Sequence, residues 1–433
     1  MIREKTVLSK DFVLVAVGRI VSAFGNQILR YALPLSLLTQ TGSSALFGSI
    51  SAASFLPMLV LFPIGGVIAD RLNKRSIMLV LDLCTAILIS VFCLLSGKVP
   101  IVPLMAITMI ILYALDGADR PAVKASIPAL IGSKQLMKAN AIIDMVDSTA
   151  GMAGPVLGGL LFSAFGLTHI LTISISCFFA SVVLDALIHI PHQKSAASGS
   201  IFSVGIRDLK DSFRFMRQNC PTLWKLSLLF SASNLLLTSL ILIGLPVLIV
   251  QRLGFAPGNA NRLYGYAQGV FAAGAVLGGF LAGILSAKLK AKTAVPLLIG
   301  CSLCAILGGA ALQIPNAPMH SYIVLIISCG LLLTVHTVFQ IQTMTFLQLL
   351  TPPAFAGKVI SCFMCIAMCT IPLGQLIYGF AFEHIGSRSP LLFYTAGLLM
   401  IGISIASRRI FHDIDKPIIS SRTAHPHRAE LPK

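Results

Sequence analysis

Two arginines, Arg19 and Arg30, stand with Asn26 in a stretch of chain that is otherwise fit for hydrocarbon. Spacings of 7 and 4 residues put all three in a narrow stripe on a 3.6-residue helix, with Ser22 and Ala23 alongside. An ion at mid-membrane costs on the order of 2.5–3.5 kcal/mol even on the mildest scale, so this stripe must face a partner or an aqueous cavity rather than lipid. Counter-charges are available in other apolar stretches: Asp82, Asp116, Asp119, Asp144 and Asp147. Asp144 and Asp147 share a helical face with Ser148 and Gly151. Burial disfavours an ionised carboxyl and a nearby arginine favours it, so a carboxylate that moves between those settings can carry a proton. Asp144 and Asp147 are candidates for that chemistry; the competing readings are a fixed ion pair with Arg19 and a solvated helix start.

The C-terminal half offers amides and rings instead: Asn234, Gln268, His336, Gln340, Gln342, Gln375 and Tyr378. His336, Gln340 and Thr343 fall on one helical face, and a histidine can titrate near neutral pH. A ligand or proton role for His336 stands against simple local satisfaction of one polar residue. Cys301 with Cys304, and Cys362 with Cys365, have the spacing of metal ligands but no histidine nearby, so they read as small buried hydrophobes. No metal site is expected.

These groups must be positioned by membrane helices. The chain has 433 residues, 56% hydrophobic and only 11% charged, where a soluble domain carries roughly 25% charged. That excludes a water-soluble enzyme, and it excludes a disordered chain, which needs low hydrophobicity and high charge. A net charge of +17 admits nucleic-acid binding in principle, but no stretch pairs basic residues with stacking aromatics, and most cations sit between apolar runs. Crossing the hydrocarbon takes about 20 apolar residues. Twelve spans are expected near 12–39, 45–69, 77–96, 101–122, 140–165, 168–190, 222–251, 264–287, 293–313, 321–350, 357–382 and 389–409. The N-terminus, the even-to-odd loops and the C-terminal tail hold 26 lysines and arginines. The other side holds Lys98, Arg252, Arg262 and Arg388, so both termini are expected in the cytoplasm.

The long connection from Pro191 to Pro221, with an amphipathic stretch from Arg207 to Arg217, divides the chain. The expected domains are a bundle at 1–190, a cytoplasmic linker at 191–221, a second bundle at 222–410 and a cytoplasmic tail at 411–433. Sliding the chain by 217 residues sets GVIADRLNKR (Gly66–Arg75) on GILSAKLKAK (Gly283–Lys292), and Pro155 on Pro372. A shared offset with the same loop direction predicts parallel repeats with a cavity between them.

PIGGVIADRLNKRSIM (Pro63–Met78) ends a span with packing glycines and then places Asp70 and Arg71 ahead of a cationic turn. It resembles the signature loop of the major facilitator superfamily, with Gly66, Asp70, Arg71, Lys74 and Arg75 at matching positions. AGMAGPVLGG, carrying Gly154, Pro155, Gly158 and Gly159, resembles the antiporter motif of that family's drug exporters, with Ala150 where glycine is usual. RPAVKASIPALIGSKQLMKANA (Arg120–Ala141) resembles the subgroup of macrolide-efflux and enterobactin-exporter-like proteins. The resemblance implies an all-α membrane protein with twelve transmembrane helices in two six-helix bundles. It implies a secondary exporter in the bacterial plasma membrane, exchanging a hydrophobic or amphiphilic small molecule for protons. The expected partners are that substrate, protons and membrane lipid, with the chain a monomer and no nucleic acid or cofactor involved.

In such a protein Asp70 can complement the dipole of a helix opposite, and Arg71 can bridge to Asp116 or Asp119. Lys74 and Arg75 are expected to set topology or bind anionic headgroups. No G-x-x-x-x-G-K-[ST] loop is present, and no Ser-His-Asp constellation of an enzyme. Uptake of an anionic metabolite, which the two arginines would suit, and a non-transporting receptor remain as alternatives.

Overall fold

The computed structural model describes residues 9–131, 135–189, 213–214, 216–218, 221–286, 288–351, 356–408 and 411, excluding the side chains of 62–71, 129, 137, 356–358 and 361. The helices in order are α1 (Lys10–Thr41), α2 (Ser44–Arg71), α3 (Lys74–Leu95), α4 (Ile101–Leu130) and α5 (Leu136–Ala186). They continue as α6 (Pro221–Arg252), α7 (Pro257–Ile284), α8 (Ala294–Ala311), α9 (Pro318–Leu350), α10 (Ala356–Ile385) and α11 (Pro390–Ala406). Ten stretches of these helices are long and apolar enough to cross a membrane, and α11 is a shorter apolar helix. α5 runs for 51 residues but contains Gly166 at φ 74°, ψ −177°. A side chain is strained at that φ, so glycine is what lets one strand of helix turn back as two spans. With α5 counted as two, the twelve expected spans are accounted for. α6 is interrupted by π-helical turns at Asn234–Thr238 and Leu248–Arg252, the local widening that often accompanies functional sites.

The described helices form two packing units. The first joins α1–α5 to 242–272 of α6 and α7 and to 375–387 of α10. Its core is two apolar clusters. One is built from Leu29, Leu33, Ile89, Phe92, Met105, Met109, Ile170 and Phe178; the other from Phe12, Val15, Met78, Val123, Ile127, Ile143 and Ile188. Along α1, α3 and α4 the polar residues 19–26, 82–85 and 116–120 fall between these clusters. A polar layer is thus held between two hydrophobic ones.

Two backbone crossings in this unit each use one glycine of a pair set 217 residues apart. Gly48 of α2 lies on Gly379 of α10, and Gly265 of α7, 217 positions after Gly48, lies on Gly159 of α5. An added Cβ at Gly48 would stand 2.5 Å from the Gln375 carbonyl oxygen and 2.7 Å from the Gly379 Cα. One at Gly159 would stand 2.6 Å from the Gly265 Cα. Only glycine permits such approach, the small-residue packing of membrane helices.

The second unit comprises 207–241, 273–374 and 388–433, of which the described parts are the starts of α6 and α10, the end of α7, and α8, α9 and α11. An added Cβ at Gly274 would stand 2.7 Å from the Gly330 carbonyl oxygen and one at Gly397 2.9 Å from the Ser302 carbonyl oxygen, so its helices are also packed backbone to backbone. Pro155 and Pro372, the repeat-related prolines, both lie inside helices. Nearly all of the expected linker, and the tail beyond 411, lie outside the described residues.

Candidate functional site

The stripe on α1 points into the first unit and is neutralised there. Arg19, 5% exposed, pairs through Nη1 with Asp119 of α4 and through Nε with Asp147 Oδ1 of α5 at 2.7 Å. Asn26 Nδ2 donates to Asp116 Oδ1 at 2.8 Å, and Arg30 Nη1 pairs with Asp116 Oδ2 at 2.6 Å. Arg120, one turn along α4, reaches the same oxygen at 3.3 Å. The Arg30 guanidinium also lies 4.0 Å from the centre of the Tyr113 ring, a cation–π contact. One helix therefore engages both α4 and α5 through charged hydrogen bonds. A buried pair gives little net stability once both ions are desolvated, but removing one member strands the other. Asp144 is different: it pairs with Lys124 at 2.9 Å, and both side chains are more than half exposed.

Asp116 and Asp119, expected as bridging partners for Arg71, are engaged by Arg30, Arg120, Asn26 and Arg19. Gly66, Asp70 and Arg71 are helical, and their side chains lie outside the described residues. Arg75 also makes contacts within the fold. Its Nε donates to the Asp185 carbonyl at 3.2 Å and its Nη2 to the Ala186 carbonyl, so it caps the C-terminal end of α5. Lys74 begins α3, whose Asn73 cap accepts from the Arg75 amide at 3.1 Å.

The antiporter-like segment is a packing surface. Gly154 sits against Gln27 of α1, Gly158 against the Tyr31 ring, and Gly159 against Gly265. Pro155 borders a cavity of about 220 Å3 that is also lined by Gln27, Arg30, Tyr31, Tyr113, Tyr264, Gln268 and Gln375. The Tyr31 and Tyr264 rings stack with centroids 5.2 Å apart, and Gln268 donates to the Tyr264 hydroxyl at 2.7 Å. Gln375 Oε1 is buried there without a partner among the described residues. Rings, amides and one neutralised guanidinium make a surface suited to amphiphilic molecules. Reading the sequence missed Tyr31, Tyr113 and Tyr264, although Tyr113 lies one turn from Asp116 and Tyr264 one turn from Gln268.

A second cavity, about 10 Å3 and the size one water needs, lies in the polar layer between Arg19, Ser22, Asn26, Asp82, Asp116 and Asp119. His336 belongs to the second unit and is satisfied locally. Its Nε2 lies 3.1 Å from Ser233 Oγ, which itself donates to the Phe230 carbonyl, and its Nδ1 lies 3.4 Å from Gln340 Nε2. Thr343 Oγ1 is buried and has no partner among the described residues. Among the described residues no group of three His, Cys, Asp or Glu could hold a metal ion.

The family model described as Major Facilitator Superfamily matches residues 15–372. Macrolide efflux protein A of Streptococcus pyogenes is 25% identical, over 91% of this chain and 94% of its own length. The multidrug efflux pump Tap of Mycolicibacterium fortuitum is 21% identical over 90% and 93%. The enterobactin exporter EntS of Shigella boydii is 30% identical over a shorter stretch, 36% of this chain and 38% of its own. In fold, the chain resembles a bacterial homologue of the human lysosomal transporter Spinster in an inward-facing conformation. That likeness has a TM-score of 0.65 at 16% identity and covers 95% and 98% of the two chains. A D-xylose–proton symporter matches with TM-score 0.64 at 12% identity, over 90% and 96%. With the helices, the repeat and the loop after α2 agreeing with a model that spans most of its length, this chain belongs to the Major Facilitator Superfamily and is a multi-pass membrane transporter.

Proposed function

We propose that the chain exports hydrophobic or amphiphilic small molecules, of the macrolide or siderophore type, in exchange for protons across the bacterial plasma membrane. The observation that carries this reading is Arg19 shared between carboxylates of two helices, Asp119 of α4 and Asp147 of α5. A cation with two carboxylate partners can exchange them as helices move, and each exchange changes which carboxylate tolerates a charge. Similarity to macrolide, multidrug and enterobactin exporters supports the direction and substrate class. Pairing of both α1 arginines with aspartates weighs against uptake of an anionic metabolite, which would need an unneutralised cation.

In this reading the bundles at 1–190 and 222–410, joined by the linker at 191–221, rock as a monomer about a central site. Both termini are cytoplasmic, and Asp70 and Arg71 latch the cytoplasmic side. The test uses inside-out vesicles loaded with a pH-sensitive dye and energised by an imposed acid interior. Adding erythromycin or enterobactin should release protons from vesicles that contain the protein and not from empty ones. Binding of either compound without proton release would favour a receptor, and no response to a panel of macrolides and siderophores would overturn the exporter reading.

A further inference from the structure

Asp82 of α3 is 6% exposed and borders the small polar cavity. The charged groups facing it are Asp119 and Asp116 from α4, Arg19 from α1, and Asp185 from α5, with the Ser181 hydroxyl of α5 alongside. No Lys, Arg or His nitrogen among the described residues lies within 4.0 Å of its carboxylate. Arg19 is held by Asp119 and Asp147, Arg30 and Arg120 by Asp116, and Lys124 by Asp144. Arg75 is turned to the Asp185 and Ala186 carbonyls. Asp82, Asp119 and Asp147 thus gather about the one buried guanidinium of Arg19, with Asp185 beside Asp82 and Asp119, and carboxylates sharing one site cannot all ionise.

Within that set the neighbours single out Asp82. Asp119 and Asp147 each have Arg19, and Asp185 has the Arg75 guanidinium beside its backbone. Asp82 has no cation of its own, and of the carboxylates without an ion pair it is the one that borders the cavity. Across that cavity Asn26 Oδ1 is buried with no hydrogen-bond partner among the described residues. An orphaned buried acceptor costs free energy unless a donor reaches it, and a protonated carboxyl, directly or through one water, supplies that donor.

We propose that Asp82 is the proton-binding carboxyl of this transporter, occupied while Arg19 is held by Asp119 and Asp147 and emptied when Arg19 turns to it. A proton from hydronium adds to a carboxylate oxygen and leaves water; the reverse step returns it to water on the other side. This deepens the proton-exchange reading and shifts it away from the carboxylates the sequence favoured. Asp144 is exposed with Lys124, and Asp147 is already neutralised by Arg19.

The test is infrared difference spectroscopy of the full chain in lipid nanodiscs, with no substrate added. The wild type should show a protonated-carboxyl C=O band near neutral pH that shifts in heavy water and disappears at alkaline pH. Asp82→Asn should abolish the band, while Asp147→Asn and Asp185→Asn should retain it. A band that survives Asp82→Asn, or a wild type with no such band, overturns the proposal. If Asp82→Asn does not fold, Asp82→Glu substitutes for it: a displaced band supports the assignment and an unmoved one refutes it. Because the band needs no transport, failure of vesicle export with an intact Asp82 band defeats the export reading alone. Proton-driven export that persists in Asp82→Asn defeats this assignment alone.

Discussion

Replacing Gly48 by alanine places a methyl group where α2 and α10 touch backbone to backbone. The new Cβ would lie 2.5 Å from the Gln375 carbonyl oxygen, about 0.9 Å inside the 3.4 Å lower limit of ordinary contact, and neither partner is a flexible side chain that could turn aside. Overpacking of this kind costs about 1–3 kcal/mol. Alanine also favours the helix over glycine by roughly 0.5–1 kcal/mol, which works in the opposite direction. Gly279→Ala on α7 isolates that second effect, since its Cβ would meet nothing within 4 Å. The difference between the two variants therefore reads the steric penalty, about 1–3 kcal/mol or roughly 5- to 150-fold in the equilibrium for opening the α2–α10 crossing. Amide hydrogen exchange of the protein in nanodiscs, followed on peptides covering 44–50, measures it. Gly48→Ala should speed exchange there by that factor relative to wild type corrected for the Gly279→Ala gain. Exchange no faster than in the wild type would show that the crossing does not hold α2 and α10 together.

Arg19→Gln should cost about 3–5 kcal/mol of stability in a thermal unfolding series, because Asp119 and Asp147 are left buried without their cation. Adding Asp147→Asn should recover part of the loss; a single variant as stable as the wild type would remove the ion cluster from the account. Glu383 Oε2 accepts from Ser44 Oγ at 3.0 Å and from the Ala45 amide at 3.1 Å, and so caps the N-terminal end of α2 from α10. Glu383→Ala should destabilise by about 0.5–2 kcal/mol, toward the lower end because the carboxylate is exposed. The effect should shrink in high salt, and a loss that salt does not change would point to packing rather than to the charge.

Much of this protein was legible from local pattern. Apolar runs marked the spans because a membrane helix must satisfy its own backbone, and that requirement is written residue by residue. The stripe of Arg19, Asn26 and Arg30 was legible for the same reason, since helical periodicity alone puts the three on one face. The loop from Gly66 to Arg75 pointed to the family later found over residues 15–372. The 217-residue offset was visible at that loop and at the two prolines, and it holds again at Gly48 and Gly265.

Partner choice was not legible. From sequence, any of five aspartates could answer two arginines; the tertiary structure gave Arg19 to Asp119 and Asp147, Arg30 to Asp116, and no cation to Asp82 among the described residues. Those pairings depend on how α1 packs against α4 and, at Gly154 and Gly158, against α5, and they join partners 86 to 128 positions apart along the chain. Arg75 shows the same division: its charge could be counted from the sequence, but its service to the end of α5 arises 110 residues away. Hydropathy and periodicity act within a single helix and so survive in one sequence, whereas the pairing of charges is a property of helices brought together.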